Sequence, residues 1–91
     1  MIYFVRCGKT EFVKIGTAKN VITRLRDLQP SNPFPLTLLA VRNGEWHDEQ
    51  HIHRQFKAEH HSGEWFTISD RLRAFILAQI PASDFYDSLG Q

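Results

Sequence analysis

The chain has 91 residues, of which 42% are hydrophobic and 23% charged, with a net charge of +1. These are the values of one ordinary globular domain; they exclude a disordered chain and leave no room for a second core. The single cysteine, Cys7, excludes an intrachain disulfide framework and a multi-cysteine zinc site. Apolar runs such as Pro35 to Val41 are far too short to span a bilayer, and no basic leader with an apolar core opens the sequence. A cytoplasmic location and no membrane partner are therefore expected.

Ile2 to Cys7 (IYFVRC) and Glu11 to Ile15 (EFVKI) are rich in β-branched and aromatic residues, and the Gly8-Lys9-Thr10 connection between them reads as a hairpin. Thr17 to Asn20 offers capping chemistry for a helix from about residue 18 to 28, with Val21, Ile22, Leu25 and Leu28 as its apolar stripe. Gln29 to Pro35 carries three prolines and must be a loop. Leu36 to Val41 reads as a third strand ended by Asn43-Gly44, and Trp46 to about Ala58 as a second helix. Ser69 caps a third helix, Asp70 to Ile80, which Pro81 stops, and Asp84 to Leu89 adds one short turn. The order β-β-α-β-α-α predicts the α+β class, a small antiparallel three-stranded sheet flanked by helices in one domain over residues 1–91.

Charge is unevenly spread. Met1 to Gln29 holds Arg6, Lys9, Lys14, Lys19, Arg24 and Arg26 against Glu11 and Asp27, whereas the remainder holds five basic and eight acidic residues. A basic half suits phosphates and an acidic half suits a metal, although two solvated faces of opposite sign would look the same.

Hairpin parity brings Tyr3 and Lys14 together. A two-residue Gly8-Lys9 turn sets them directly opposite, and a four-residue Gly8 to Glu11 loop keeps them on one face, one pair out of step. An ammonium beside a phenol favours phenolate, a general base; the plainer reading is a half-buried Tyr near a surface Lys. In the second helix, Trp46, Ile52, His53 and Phe56 define an apolar face, with Glu49 in its middle. A carboxylate there is expensive unless paired, for example with Arg24, or bound to a cation. Hard cations such as Mg²⁺ need only one protein carboxylate besides water and phosphate. Arg24 and Arg26 lie on opposite flanks of the first helix, and either can contact a phosphate or simply snorkel. His47 and His51 share the solvated face of the second helix, with His60-His61 after it, and no cysteine completes a zinc site among them.

Taken in order, these segments resemble the GIY-YIG nuclease superfamily, particularly the compact branch found in phages and fungal meiotic genes. Met1-Ile2-Tyr3 corresponds to the first signature and Lys14-Ile15-Gly16 to the second, with Lys in place of its first Tyr as in some restriction enzymes of the superfamily. Arg24 to Gln29 (RLRDLQ), Asn32-Pro33 with Pro35-Leu36, Glu49 to Phe56 (EQHIHRQF) and Gly63 to Phe66 (GEWF) are similar to this branch's later segments, so the likeness runs from residue 1 to about 68. The Asn that many superfamily members carry after the metal Glu has no clear counterpart, and Glu64 sits near its place. The resemblance implies a DNA endonuclease using Mg²⁺ or Mn²⁺. Tyr3 would act as general base or water-positioning phenol, Lys14 as its electrostatic partner, Arg24 as phosphate clamp and Glu49 as metal ligand. His53 would orient a water at the metal or else serve packing, and Lys19 and Arg26 would contact phosphates. A homodimer would lengthen the footprint. The rival readings are a nucleic-acid-binding or protein-interaction domain of the same fold without catalysis.

Overall fold

The computed structural model describes residues 1–90. Ile2 to Val5 are buried in succession rather than alternately, the pattern of a strand covered on both faces. Accordingly β1 (Ile2–Cys7) lies inside the sheet, antiparallel to β2 (Phe12–Thr17) on one side and β3 (Leu36–Arg42) on the other. Tyr3 pairs with Gly16 and Val5 with Lys14, so the hairpin uses the four-residue loop. Gly8 opens that loop at φ +55°, a conformation side chains resist.

Among the described residues the sheet has six strands rather than three, in the order β4-β5-β2-β1-β3-β6, every neighbouring pair antiparallel. The added strands are β4 (His60–Ser62), β5 (Trp65–Thr67) and β6 (Ile80–Pro81). Strands of two or three residues are too short to carry an alternating pattern, which is why periodicity does not reveal them. Pro81 tolerates its place because β6 is an edge, where no N–H is needed for a further partner.

Helix α1 (Val21–Leu28) begins later than expected, since Asn20 takes the N-cap and accepts from the Thr23 N–H at 3.0 Å. Helix α2 (Trp46–Gln55) starts at a capping box formed by Glu45 and Asp48. Ser69 caps α3 (Asp70–Leu77) as expected, but that helix stops short of Ile80, because Ile80 is drawn into pairing with Val41. Helix α4 (Ala82–Leu89) is fuller than the short turn expected of this stretch.

Two cores result, one per sheet face. Ile2, Phe4, Ile15, Ile52, Phe56 and Leu72 belong to the face covered by α2 and α3. Tyr3, Val5, Val21 and Val41 belong to the other, against which Leu25 of α1 and Phe85 of α4 pack. Ile52 and Phe56 are buried and His47 and His51 exposed, in keeping with the helical angles. Trp46 departs from them: it is 67% exposed. It is the first residue of α2, where a side chain leaning toward the N-terminus has no preceding helical turn to cover it. No helix among the described residues is long and apolar enough to cross a membrane.

Beneath α3, Glu59 is buried and accepts from Ser69 Oγ at 2.7 Å and Arg71 Nη2 at 2.9 Å. The Arg71 guanidinium, then the Ser69 hydroxyl, hold its carboxyl below the usual value. A depressed carboxyl stabilises the fold above its unfolded pKa and loses that contribution as pH falls through the folded one. We expect Arg71→Ala to cost about 1–2 kcal/mol at neutral pH, the lower part of the range for a hydrogen bond to a charged group, because solvent screens the half-exposed guanidinium. The deficit should shrink in urea titrations repeated below the folded value; a deficit independent of pH would show that Arg71 acts through packing on Phe56.

Candidate active site

The edge of β2 is where the two sheet faces meet. β5 pairs with β2 only as far as Trp65 opposite Lys14, and the last backbone bond runs from the Ile15 N–H to the Glu64 carbonyl at 3.0 Å. Beyond that point the Ile15 carbonyl has no strand partner, and the His53 ring fills the gap, its Nε2 2.9 Å from that oxygen. Since a carbonyl oxygen carries no proton, Nε2 is the donor. His53 also packs at 4.8 Å against the Phe66 ring.

One turn before His53, Glu49 is 2% exposed. Its carboxylate accepts from Thr17 Oγ1 at 3.0 Å and from Gln50 Nε2 at 2.7 Å. The structural pairing with Arg24 is therefore not what holds it. Burial pushes the Glu49 carboxyl up, a hydrogen bond with the facing Glu64 carboxyl pushes it further, and the bonds from Thr17 and Gln50 pull it back. Two carboxyl groups so placed need a proton or a cation between them. Ligand atoms of Glu49, His53 and Glu64 all lie within 4.8 Å of one another, a donor set that fits one divalent cation.

Tyr3 reaches this edge from the opposite face. It is 1% exposed, and its ring crosses Gly16, where a Cβ would stand 3.1 Å from the ring's Cε1 and closer still to its hydroxyl. Arg24 of α1 is the cation that acts on this hydroxyl, each group shifting the other's pKa. The expected phenolate is corrected: burial raises the Tyr3 hydroxyl above its ordinary value, with Glu64 and Glu49 adding to the rise and Arg24 opposing it. Lys14 is also not its partner. The ammonium pairs with Glu64 Oε1 at 3.3 Å and sits 5.4 Å from the centre of the Trp65 ring, because the four-residue loop sets Lys14 one pair out of step with Tyr3.

Thus Tyr3, Arg24 and Lys14 from one face converge with Glu49 and His53 from the other. Lys19 and Arg26 are not drawn in. Lys19 is exposed in the loop before α1, and Arg26 lines a groove with Ile22, Gln29 and Tyr86 on the flank opposite Arg24. His47, His51, His60 and His61 are exposed. Glu64 is the residue whose part the sequence reading did not assign; only β5, too short to detect, brings it beside Lys14 and Glu49.

Among protein families, the model described as the T5orf172 domain matches residues 1–80. That domain is phage-derived and related to GIY-YIG/HNH-like nucleases. No curated protein and no solved structure matches the chain.

Proposed function

The chain belongs to the T5orf172 domain family, and from that footing we propose that it is a GIY-YIG-type endonuclease that hydrolyses DNA phosphodiester bonds with a divalent cation, Mg²⁺ or Mn²⁺. One observation carries this reading: a buried carboxylate, a second carboxylate and an imidazole meet a tyrosine–arginine pair at one strand edge. A purely structural cluster gains nothing from burying Glu49 opposite Glu64, whereas a cation-binding one does.

In this mechanism Arg24 holds the scissile phosphate, its guanidinium matching the charge that grows on the equatorial oxygens. Tyr3, a neutral phenol at physiological pH, positions the attacking water through its hydroxyl oxygen. Arg24 lies on that same oxygen and orients it. Attack on phosphorus forms the new P–O bond as the bond to the sugar oxygen opposite breaks; the water's proton passes to solvent, and solvent returns a proton to the departing sugar oxygen. Glu49 would hold the cation, which when bound would supply charge neutralisation for the phosphate and the departing oxygen. Lys14 offsets the charge of Glu64. Lys19 and Arg26 would serve DNA phosphates away from the cut, and a second copy of the chain would extend the footprint or add a second cut.

The test is incubation of the chain with plasmid and with branched DNA, with and without Mg²⁺ or Mn²⁺. We expect cleavage that appears with metal and stops in EDTA. Retained DNA binding with no cleavage in either metal would favour a binding module of the same fold.

A further inference from the structure

We propose that Glu64 and the Nδ1 atom of His53 join Glu49 as direct ligands of one cation, and that this donor set selects Mn²⁺ over Mg²⁺ and holds it before any nucleic acid arrives. The proposal rests on the metal reading of Glu49 and deepens it. That reading needs a single carboxylate completed by water and phosphate, whereas three protein ligands make a site that stands by itself.

Three features of the site support the larger donor set. First, the tautomer of His53 is set by the protein. Its Nε2–H is committed to the Ile15 carbonyl at 2.9 Å, which leaves the Nδ1 lone pair free. Metal-binding histidines characteristically donate their second N–H to such a carbonyl, which orients the ring and strengthens the ligand. Second, the carboxylates are held in place from behind. Glu49 is tethered by Thr17 and Gln50, and Glu64 by Lys14 at 3.3 Å. Third, the spacing suits one ion. Ligand atoms lie about 2.0–2.2 Å from such a cation, so two carboxylate oxygens and a ring nitrogen of His53 already within 4.8 Å of one another need only a small side-chain adjustment to share it.

Selectivity follows from the donor types. Mg²⁺ takes oxygen ligands and gives up its waters reluctantly. First-row transition cations accept imidazole, and Mn²⁺ also accepts carboxylates. Lys14 sharpens the preference by leaving the two carboxylates with a net charge of −1, too little to draw in a strongly hydrated ion by attraction alone.

The experiment is a titration of the nucleic-acid-free chain with Mn²⁺ alone, read by electron paramagnetic resonance, with Mg²⁺ as competitor. We expect one Mn²⁺ per chain, bound on the order of 10-fold or more tightly than Mg²⁺, with nitrogen coupling in the pulsed spectrum. Glu64→Gln should weaken Mn²⁺ by at least about 10–100-fold, since loss of an outer partner of a ligand alone costs that much, and His53→Gln should remove the nitrogen coupling. Thermal melts establish that the variants fold, and the nitrogen signal of the unaltered chain decides the point even if they do not. Mn²⁺ bound without nitrogen coupling and indifferent to Glu64→Gln, but lost in Glu49→Gln, would overturn the three-ligand set and leave the Glu49 site standing. No binding at all, or binding that Glu49→Gln leaves intact, would remove both.

Discussion

Glu49→Gln is expected to reduce metal-dependent DNA cleavage on the order of 10²-fold or more, the scale of losing one electrostatic catalytic contact of several kcal/mol. The same variant should melt in EDTA at the same temperature as the parent or higher. The sign follows from the direction of the Glu49 shift. Burial first, and Glu64 second, raise its carboxyl, so the fold favours the protonated form. A group raised in this way contributes its stability below the unfolded value and loses it as pH rises through the folded one. At neutral pH, without a cation, the Glu49 carboxyl therefore works against folding. Gln is nearly isosteric with the neutral carboxyl and keeps oxygen and nitrogen within reach of Thr17 and Glu64. Cleavage and melting should accordingly move apart. A large loss of stability with cleavage per folded molecule unchanged would instead identify Glu49 as a structural residue and remove the catalytic reading.

Gly16→Ala is expected to damage both stability and activity, although it adds a single methyl group. The added Cβ would enter the space occupied by the Tyr3 ring, 3.1 Å from Cε1 and closer to the hydroxyl. Tyr3 is 1% exposed and packs in the same core as Val5, Val21 and Val41, so it has little room to retreat. Overpacking of this kind costs about 1–3 kcal/mol, which corresponds to a fall in melting temperature of roughly 4–8 °C per kcal/mol in a domain of this size. Any relief that swings the ring aside also takes the hydroxyl away from Arg24, so cleavage per folded molecule should drop on the order of 10²-fold. Gly90→Ala is the control: its added Cβ would meet only the Asp87 carbonyl, at 3.6 Å, and should change stability by less than about 0.5 kcal/mol. Urea unfolding and a plasmid assay on the three proteins measure both effects. If Gly16→Ala matched the parent in each, close packing of Tyr3 across Gly16 would not be what places the phenol.

Much of this arrangement is legible before folding is considered. Glu49 stands out because it interrupts an apolar helical face, and it is buried as that pattern requires. Ser69 announces the start of α3, and the hairpin keeps Tyr3 and Lys14 on one face whichever even loop is used. These are local properties: helical and strand periodicities and capping depend on neighbours within a few residues. The exposure of Trp46 is not legible on the same basis. Its angle on α2 agrees with that of Ile52 and Phe56, but angle alone does not tell where the sheet beneath the helix ends.

The residues that meet around the β2 edge depend on contacts between distant parts of the chain. Glu64 lies beside Glu49 because β5 pairs with β2, and the β4, β5 and β6 strands exist only through partners far away in sequence. The Tyr3 hydroxyl is raised, although a neighbouring lysine suggested the opposite, because burial is a property of the assembled core and here outweighs the attraction of Arg24. By itself the sequence determined the α+β class, the main helices and the out-of-place carboxylate of Glu49, and it put Tyr3 and Arg24 forward as candidates. The tertiary structure decided their partners: Arg24 for Tyr3, Glu64 for both Lys14 and Glu49, and the Ile15 carbonyl for His53. Periodicity records which way a side chain faces; electrostatics and ligand geometry depend on distances that exist only once both sheet faces have closed on the same edge.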